Sequence, residues 1–311
     1  MHRLKITRSL LSRPASMFDS SSRDPNTFIG REFGSFTILK LIGKGAAGLV
    51  FSGFQKNLRR QVAIKVMLKT DQVNEAARRL FHQEAQIIAG LNHPNIIPIF
   101  DMGEAEDCYY QVIQIITGPD LDHVIKNRLK NPLPQRRLLP INEIFRISKQ
   151  ILEGLGYAHE EGLVHQDIKP ANILMEEKTQ RPLIVDFGIA KTRFSEVKQE
   201  GVIVGSPMYI APEQIENVKT DHRADVFSVG VMLFQMLAGR LPLAVKDPIT
   251  LLARKLQDPL SIYKTRPVEA SPLIDKELEM ILVSSMMLNP DKRFQNCYEF
   301  RDALIAYQQS H

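Results

Sequence analysis

A chain of 311 residues with 44% hydrophobic and 24% charged side chains has ordinary globular composition, with room for one large domain or two lobes. Its two cysteines, Cys108 and Cys297, stand far apart, which argues against a disulfide scaffold or a zinc site and fits a reducing, cytoplasmic compartment. The net charge of +5 is concentrated in residues 1–30, at +3, and residues 127–140, at +4, leaving −2 elsewhere, so a broad nucleic-acid-binding face is not expected.

Residues 1–30 are rich in Ser and Arg, lack periodicity, and read as a flexible basic tail. From Phe33 the pattern changes. The stretches 36–41, 49–54 and 61–67 are β-rich, and Gly43-Lys44-Gly45-Ala46-Ala47-Gly48 lies between the first two. A G-x-G-x-x-G that opens a helix would suit a dinucleotide fold, but this one runs into Leu49-Val50-Phe51. It reads as a strand–turn–strand hairpin whose missing side chains let backbone N–H groups approach phosphate. Lys65, in Val62-Ala63-Ile64-Lys65, sits on a mainly buried strand and needs a partner. Glu84, in the helical pattern 74–91, is the expected one.

Two more strands are expected at 96–101 and 109–116, and Gly118-Pro119 reads as a hinge. The chain then turns helical. A short helix starts at Asp120, and the basic, Pro-rich piece 127–140 follows as an insertion. A long amphipathic helix over 142–161 carries Ile144, Ile147, Ile151, Leu155 and Ala158 on one face. Short strands at 173–175 and 183–185 form a hairpin, 189–210 suit a long functional loop, and 225–238 suit a buried helix. Further helices fit 248–257, 275–288 and 297–308. The longest apolar stretch, Val226 to Gly239, is too short to span a bilayer, so no transmembrane segment is expected.

Val164 to Asn172 reads V-H-Q-D-I-K-P-A-N and gathers Asp167, Lys169 and Asn172; Asp186-Phe187-Gly188 adds another carboxylate. Such a set suits a charged substrate and a metal, although Asp, Lys, Pro and Asn are also ordinary turn residues. With the glycine loop, Val62-Ala63-Ile64-Lys65, Glu84 and Ala211-Pro212-Glu213 in the same order, the sequence resembles a serine/threonine protein kinase over residues 33–308, and within that family the bacterial members of eukaryotic type.

The resemblance implies an α+β, bilobal fold. A small β-sheet lobe with one helix would span 31–116. A larger, mainly helical lobe would span 117–311, with an activation segment at 186–213. It implies transfer of the γ-phosphate of ATP to Ser/Thr hydroxyls of protein substrates, autophosphorylation included, with Mg2+, or Mn2+ as the alternative. Asp167 would orient the acceptor hydroxyl and take its proton, and Lys169 would neutralise the transferring phosphate. Lys65, positioned by Glu84, would hold the α/β-phosphates. Asn172 and Asp186 would bind the metal. Ile42, Gly43, Lys44, Gly45, Ala46, Ala47, Gly48, Val50, Ala63, Gln114, Ile116 and Leu174 would complete the ATP site. Thr192, Ser195 and Ser206 are activation-loop phosphosite candidates. Asp225 would anchor the catalytic loop, and Arg293 would pair with Glu213.

Gln166 departs from the family, where an arginine usually stands and commonly binds a phosphorylated loop residue. Glutamine carries no charge for that, so activity independent of loop phosphorylation is expected. A nucleotide-binding pseudokinase is the alternative reading, but such modules usually lack Lys65, Asp167 or Asp186.

Overall fold

Alternating apolar residues build the first part of the chain into a sheet. In the computed structural model, which describes residues 24–45, 48–69, 86–187, 208–215, 220–242 and 267–311, six antiparallel strands pair in the order β1-β2-β3-β4-β6-β5. They are β1 (Glu32–Phe33), β2 (Phe36–Gly45), β3 (Gly48–Gln55), β4 (Arg60–Leu68), β5 (Ile99–Glu104) and β6 (Cys108–Gln114). Period-two alternation divides the central strand β4. Val62, Ile64 and Val66 join Phe36, Leu49 and Phe51 in the core of the sheet. Ala63 and Lys65 therefore face the other way, toward the rest of the chain.

Two boundaries differ from expectation. The tail read over residues 1–30 ends earlier, because Phe28 is fully buried against Phe51 and lies under the Arg31 guanidinium. A turn capped by Asp24 sets Phe28 in place, and the bidentate Arg31–Asp107 pair ties this segment to the sheet. The strand expected at 96–101 begins at Ile99 instead. Ile97 N–H donates to the Ile184 carbonyl at 3.0 Å, and Ile96 bridges Ile184 in parallel. Pro98 supplies no donor to the ladder, so the chain serves the second half of the molecule before entering the sheet.

The second half is helical, around α1 (Leu121–Leu129), α2 (Ile141–Glu160), α3 (Pro212–Ile215), α4 (Arg223–Ala238), α5 (Pro267–Ala270), α6 (Lys276–Ser285) and α7 (Cys297–Ser310), with a hairpin of β7 (Ile173–Met175) and β8 (Pro182–Ile184). The predicted stripe on α2, from Ile144 to Ala158, is wholly buried. Helix α4 is buried on every side and lies at the centre of this half. The insertion at 127–140 is partly absorbed: α1 runs to Leu129, and Leu139 is buried in the core. The helix expected at 248–257 falls outside the described residues, as does most of the one at 74–91, of which 86–90 is helical.

One core cluster joins the halves, taking Met67, Ile88 and Tyr109 from the first and Phe187 and the helices from the second. The connection crosses at Gly118, where φ is +140° and an added Cβ would lie 1.9 Å from the Met175 carbonyl oxygen. Only glycine fits there. Met175 N–H donates to Pro119 O and Glu177 N–H to Thr117 O, both at 2.8 Å, so the connection lies along β7. Residues 117–120 thus join the sheet to the hairpin, with Asp120 bridging Leu174.

Candidate active site

The glycine stretch forms the tip of the β2–β3 hairpin. Gly43 pairs with Val50 and Gly45 with Gly48, so β2 continues through the glycines where the sequence suggested an end at Leu41. Gly48 has φ +126°, and an added Cβ would sit 2.3 Å from the Val66 carbonyl oxygen. That closeness presses the hairpin onto β4 beside Lys65. Ile42 is half exposed. Ala46 and Ala47 at the tip lie outside the described residues, as do Glu84, Gly188, Thr192, Ser195 and Ser206.

Lys65 reaches out of the sheet with its side chain only 10% exposed, and its Nζ lies 2.6 Å from Asp186 Oδ1. Its partner among the described residues is thus Asp186. Burial pushes the Asp186 carboxyl up, but the charge and hydrogen bond of Lys65 outweigh it and hold the group below the usual carboxylate range. Asp186 has φ +62°, as Gln166 has φ +61°. Positive φ is uncommon for residues other than glycine, and both positions flank the polar cluster.

That cluster is local. Lys169 Nζ donates to Asp167 Oδ2 at 2.8 Å. Asn172 Nδ2 donates to Asp167 O at 2.8 Å and to Asp167 Oδ2 at 2.9 Å, which leaves the Asn172 Oδ1 atom as an acceptor. The Asn172 carbonyl takes the Val185 N–H at 3.0 Å, linking this loop to the segment that carries Asp186.

Beneath the loop lies Asp225, fully buried at the start of α4. Its Oδ2 accepts the His165 N–H and its Oδ1 the Gln166 N–H, both at 2.8 Å. His159 Nε2 donates to the same Oδ2 at 2.8 Å. Burial pushes this carboxyl up; the His159 bond, the nearby imidazoles and the His165 amide more than offset it and keep it ionised. Burial likewise lowers His165, so its ring is neutral. His165 Nε2 donates to Val185 O at 3.0 Å, which makes Nδ1 the acceptor for the Asp167 N–H at 3.2 Å. The His165 and Phe187 rings lie 4.7 Å apart in the core that joins the halves.

His159 belongs to this arrangement, as does Gln214, whose Nε2 donates to the Gln166 carbonyl at 3.0 Å; neither was singled out from sequence. A histidine near the end of an amphipathic helix has no signature, and Gln214 merely follows Ala-Pro-Glu. Farther away, Arg293 holds Glu213 through paired bonds of 2.6 and 2.7 Å.

The donor set suits a nucleotide with a hard divalent cation. Asn172 and Asp186 present oxygen ligands, Lys65 supplies a positive charge, and the hairpin brings bare backbone close. Among the described residues no group of three or more His, Cys, Asp or Glu could hold a metal alone. Magnesium is commonly held by one or two carboxylates together with phosphate oxygens, and this donor set fits that pattern. Ala63, Val50 and Gln114 sit on strands of the sheet, Ile116 on the connection and Leu174 on the hairpin, Ala63 buried and the others partly exposed. Among the described residues no helix is long and apolar enough to cross a membrane.

The sequence profile of the protein kinase domain matches residues 36–303. The chain is 32% identical over 282 residues to the serine/threonine-protein kinase pkn2 of Myxococcus xanthus, covering 88% of this chain and 32% of that protein. It is 31% identical over 295 residues to the tyrosine-protein kinase MasK of the same species, covering 90% of this chain and 44% of that one. It thus spans less than half the length of either relative. Among solved structures it is similar to the PknI kinase domain of Mycobacterium tuberculosis, with a TM-score of 0.69, 28% identity, and coverage of 90% of this chain and 98% of that one.

Proposed function

The chain belongs to the protein kinase family, and from that premise we propose that it transfers the γ-phosphoryl group of ATP to serine and threonine hydroxyls of proteins, its own included. The observation that carries this reading is that Lys65, from the sheet, meets Asp186, whose segment is bonded to the loop that gathers Asp167, Lys169 and Asn172. In this reading ATP bound with Mg2+ supplies an activated phosphoryl group whose charge the metal helps to neutralise. Lys65 holds the α/β-phosphates, and Asn172 Oδ1 and the Asp186 carboxylate bind the cation. Asp167 orients the acceptor hydroxyl and takes its proton, while Lys169 offsets charge on the group in transit. Residues 42–48, Val50, Ala63, Gln114, Ile116 and Leu174 enclose the nucleotide. The first lobe takes in the Phe28 segment and runs to 116, the second spans 117–311, residues 186–213 form the activation segment, and the protein acts in the cytoplasm.

Lys169 favours serine and threonine as acceptors, since tyrosine kinases usually lack a lysine there. A purely structural module would not need Lys65, Asp167, Asn172 and Asp186 kept together, because each buried polar group left unpaired costs about 1–3 kcal/mol; a nucleotide-binding pseudokinase usually lacks Lys65, Asp167 or Asp186, and all three are present. Labelled ATP offered to the wild type and to Lys65→Met, with a Ser/Thr/Tyr peptide library as acceptor, tests the assignment. Label should reach Ser/Thr peptides with the wild type alone; equal label with both proteins rejects it. The neutral Gln166 gives a second expectation. Thr192→Ala with Ser195→Ala should retain most of the rate, and a loss of about 100-fold (~2.7 kcal/mol) would contradict it.

A further inference from the structure

Gln214 lies in α3, directly after Glu213, and its side-chain amide spans two segments. Its Oε1 accepts the Ala211 N–H at 3.0 Å, and its Nε2 donates to the Gln166 carbonyl at 3.0 Å. The two partners fix the orientation of the amide. Turned over, it would set NH2 against N–H and oxygen against oxygen.

The bond to Gln166 reaches a sensitive place. Gln166 is held at φ +61°, and the peptide that follows leads into Asp167. Its own N–H is tied to Asp225 Oδ1 at 2.8 Å, and the Asp167 N–H to His165 Nδ1 at 3.2 Å. Gln214 supplies the constraint on the carbonyl between them. The constraint comes from a segment that is itself seated on α4. Ser228 Oγ donates to Tyr209 O at 2.9 Å, Tyr209 OH to Gln235 Oε1 at 2.6 Å, and Glu213 is gripped by Arg293.

We propose that Gln214 is a positioning residue that couples the seating of residues 208–215 to the orientation of Asp167. The coupling runs through a neutral amide and the main chain of residue 166, so it needs neither a charged side chain there nor a phosphate on the loop. When the segment is displaced, Asp167 loses one of the bonds that set its backbone. The role assigned to Asp167 rests on the phosphotransfer reading above; the structural coupling does not.

Two variants test it. Gln214→Glu keeps size and the acceptor for Ala211 but cannot donate to Gln166. Gln214→Met keeps length and loses both bonds. Amide exchange in the unliganded protein should quicken on the order of tenfold at residues 165–167, while α2 and α4 keep their protection. In steady-state assays kcat should fall about tenfold in both variants (~1.4 kcal/mol), with the KM for ATP within about twofold. Unchanged exchange at 165–167, protection lost throughout α2 and α4, or unchanged kcat in an otherwise active enzyme each overturns the proposal. A wild type that transfers no phosphate would refute the kinase reading, and the exchange experiment would still decide the coupling.

Discussion

Replacing Asp167 with alanine should lower kcat by ~10²–10⁴-fold, the usual contribution of a positioned acid or base, with nucleotide affinity changed only a few-fold. The structure explains why the loss should be one of chemistry and not of folding. The Asp167 backbone is held independently of its carboxylate, by His165 Nδ1 on the N–H and by Asn172 Nδ2 on the carbonyl. The carboxylate itself meets Lys169 and Asn172, both part of the site. Asp167→Asn should be nearly as damaging, because it retains the shape and removes the base. Nucleotide affinity measured by calorimetry beside kcat separates the two effects. A kcat within tenfold of wild type would remove Asp167 from its role.

How far the site could be read from sequence follows from distance along the chain. Asp167, Lys169 and Asn172 meet within one loop, so their spacing already carries their geometry. The stripe on α2 and the β7–β8 hairpin were legible for the same reason: 3.6- and 2-residue periods are local. Lys65 was legible as a charge in need of a partner, with Glu84, outside the described residues, as the expected one. Its bond to Asp186 joins residues 121 apart, and no pattern in β4 announces that meeting. Phe28 carries no signal because one aromatic among polar residues has no period, although it is fully buried in the core of the sheet. His159 and Gln214 were illegible for a further reason. Each acts by bonding to the site's supports, His159 to Asp225 and Gln214 to a main-chain carbonyl. Such bonds constrain an amide or an imidazole without imposing a motif on the residues around it. The strand boundary at Ile99 is the same lesson for the backbone. Residues 96 and 97 look like sheet, yet their partner is Ile184, nearly ninety positions on.

Arg293→Met should destabilise the helical half by ~3–5 kcal/mol, a large part of the roughly 5–15 kcal/mol that a folded domain has. A guanidinium has five N–H donors, and all five are used here. Two go to Glu213 at 2.6 and 2.7 Å. Three go to the carbonyls of Met287, Arg223 and Leu288 at 2.6, 3.0 and 3.0 Å. The Arg293 side chain is fully buried and lies 5.0 Å from the centre of the Phe227 ring. Methionine fills much of the space but takes the guanidinium away from the Met287, Arg223 and Leu288 carbonyls, and it leaves a buried carboxylate whose partner among the described residues was Arg293. Lysine does little better, since three donors on one nitrogen cannot reproduce a planar fork. Removing the negative partner is a different experiment. In Glu213→Gln the guanidinium keeps its three carbonyls and one amide oxygen, so the cost should be nearer 1–3 kcal/mol. Urea denaturation of both variants checks the asymmetry. Equal losses would mean that the pair acts through its mutual charge alone, and a loss below 1 kcal/mol for Arg293→Met would mean that the helical half does not depend on it. Because Glu213 precedes Gln214, the Arg293 variant should also loosen residues 165–167 in amide exchange, whereas substitution at Gln214 should leave the global stability almost untouched.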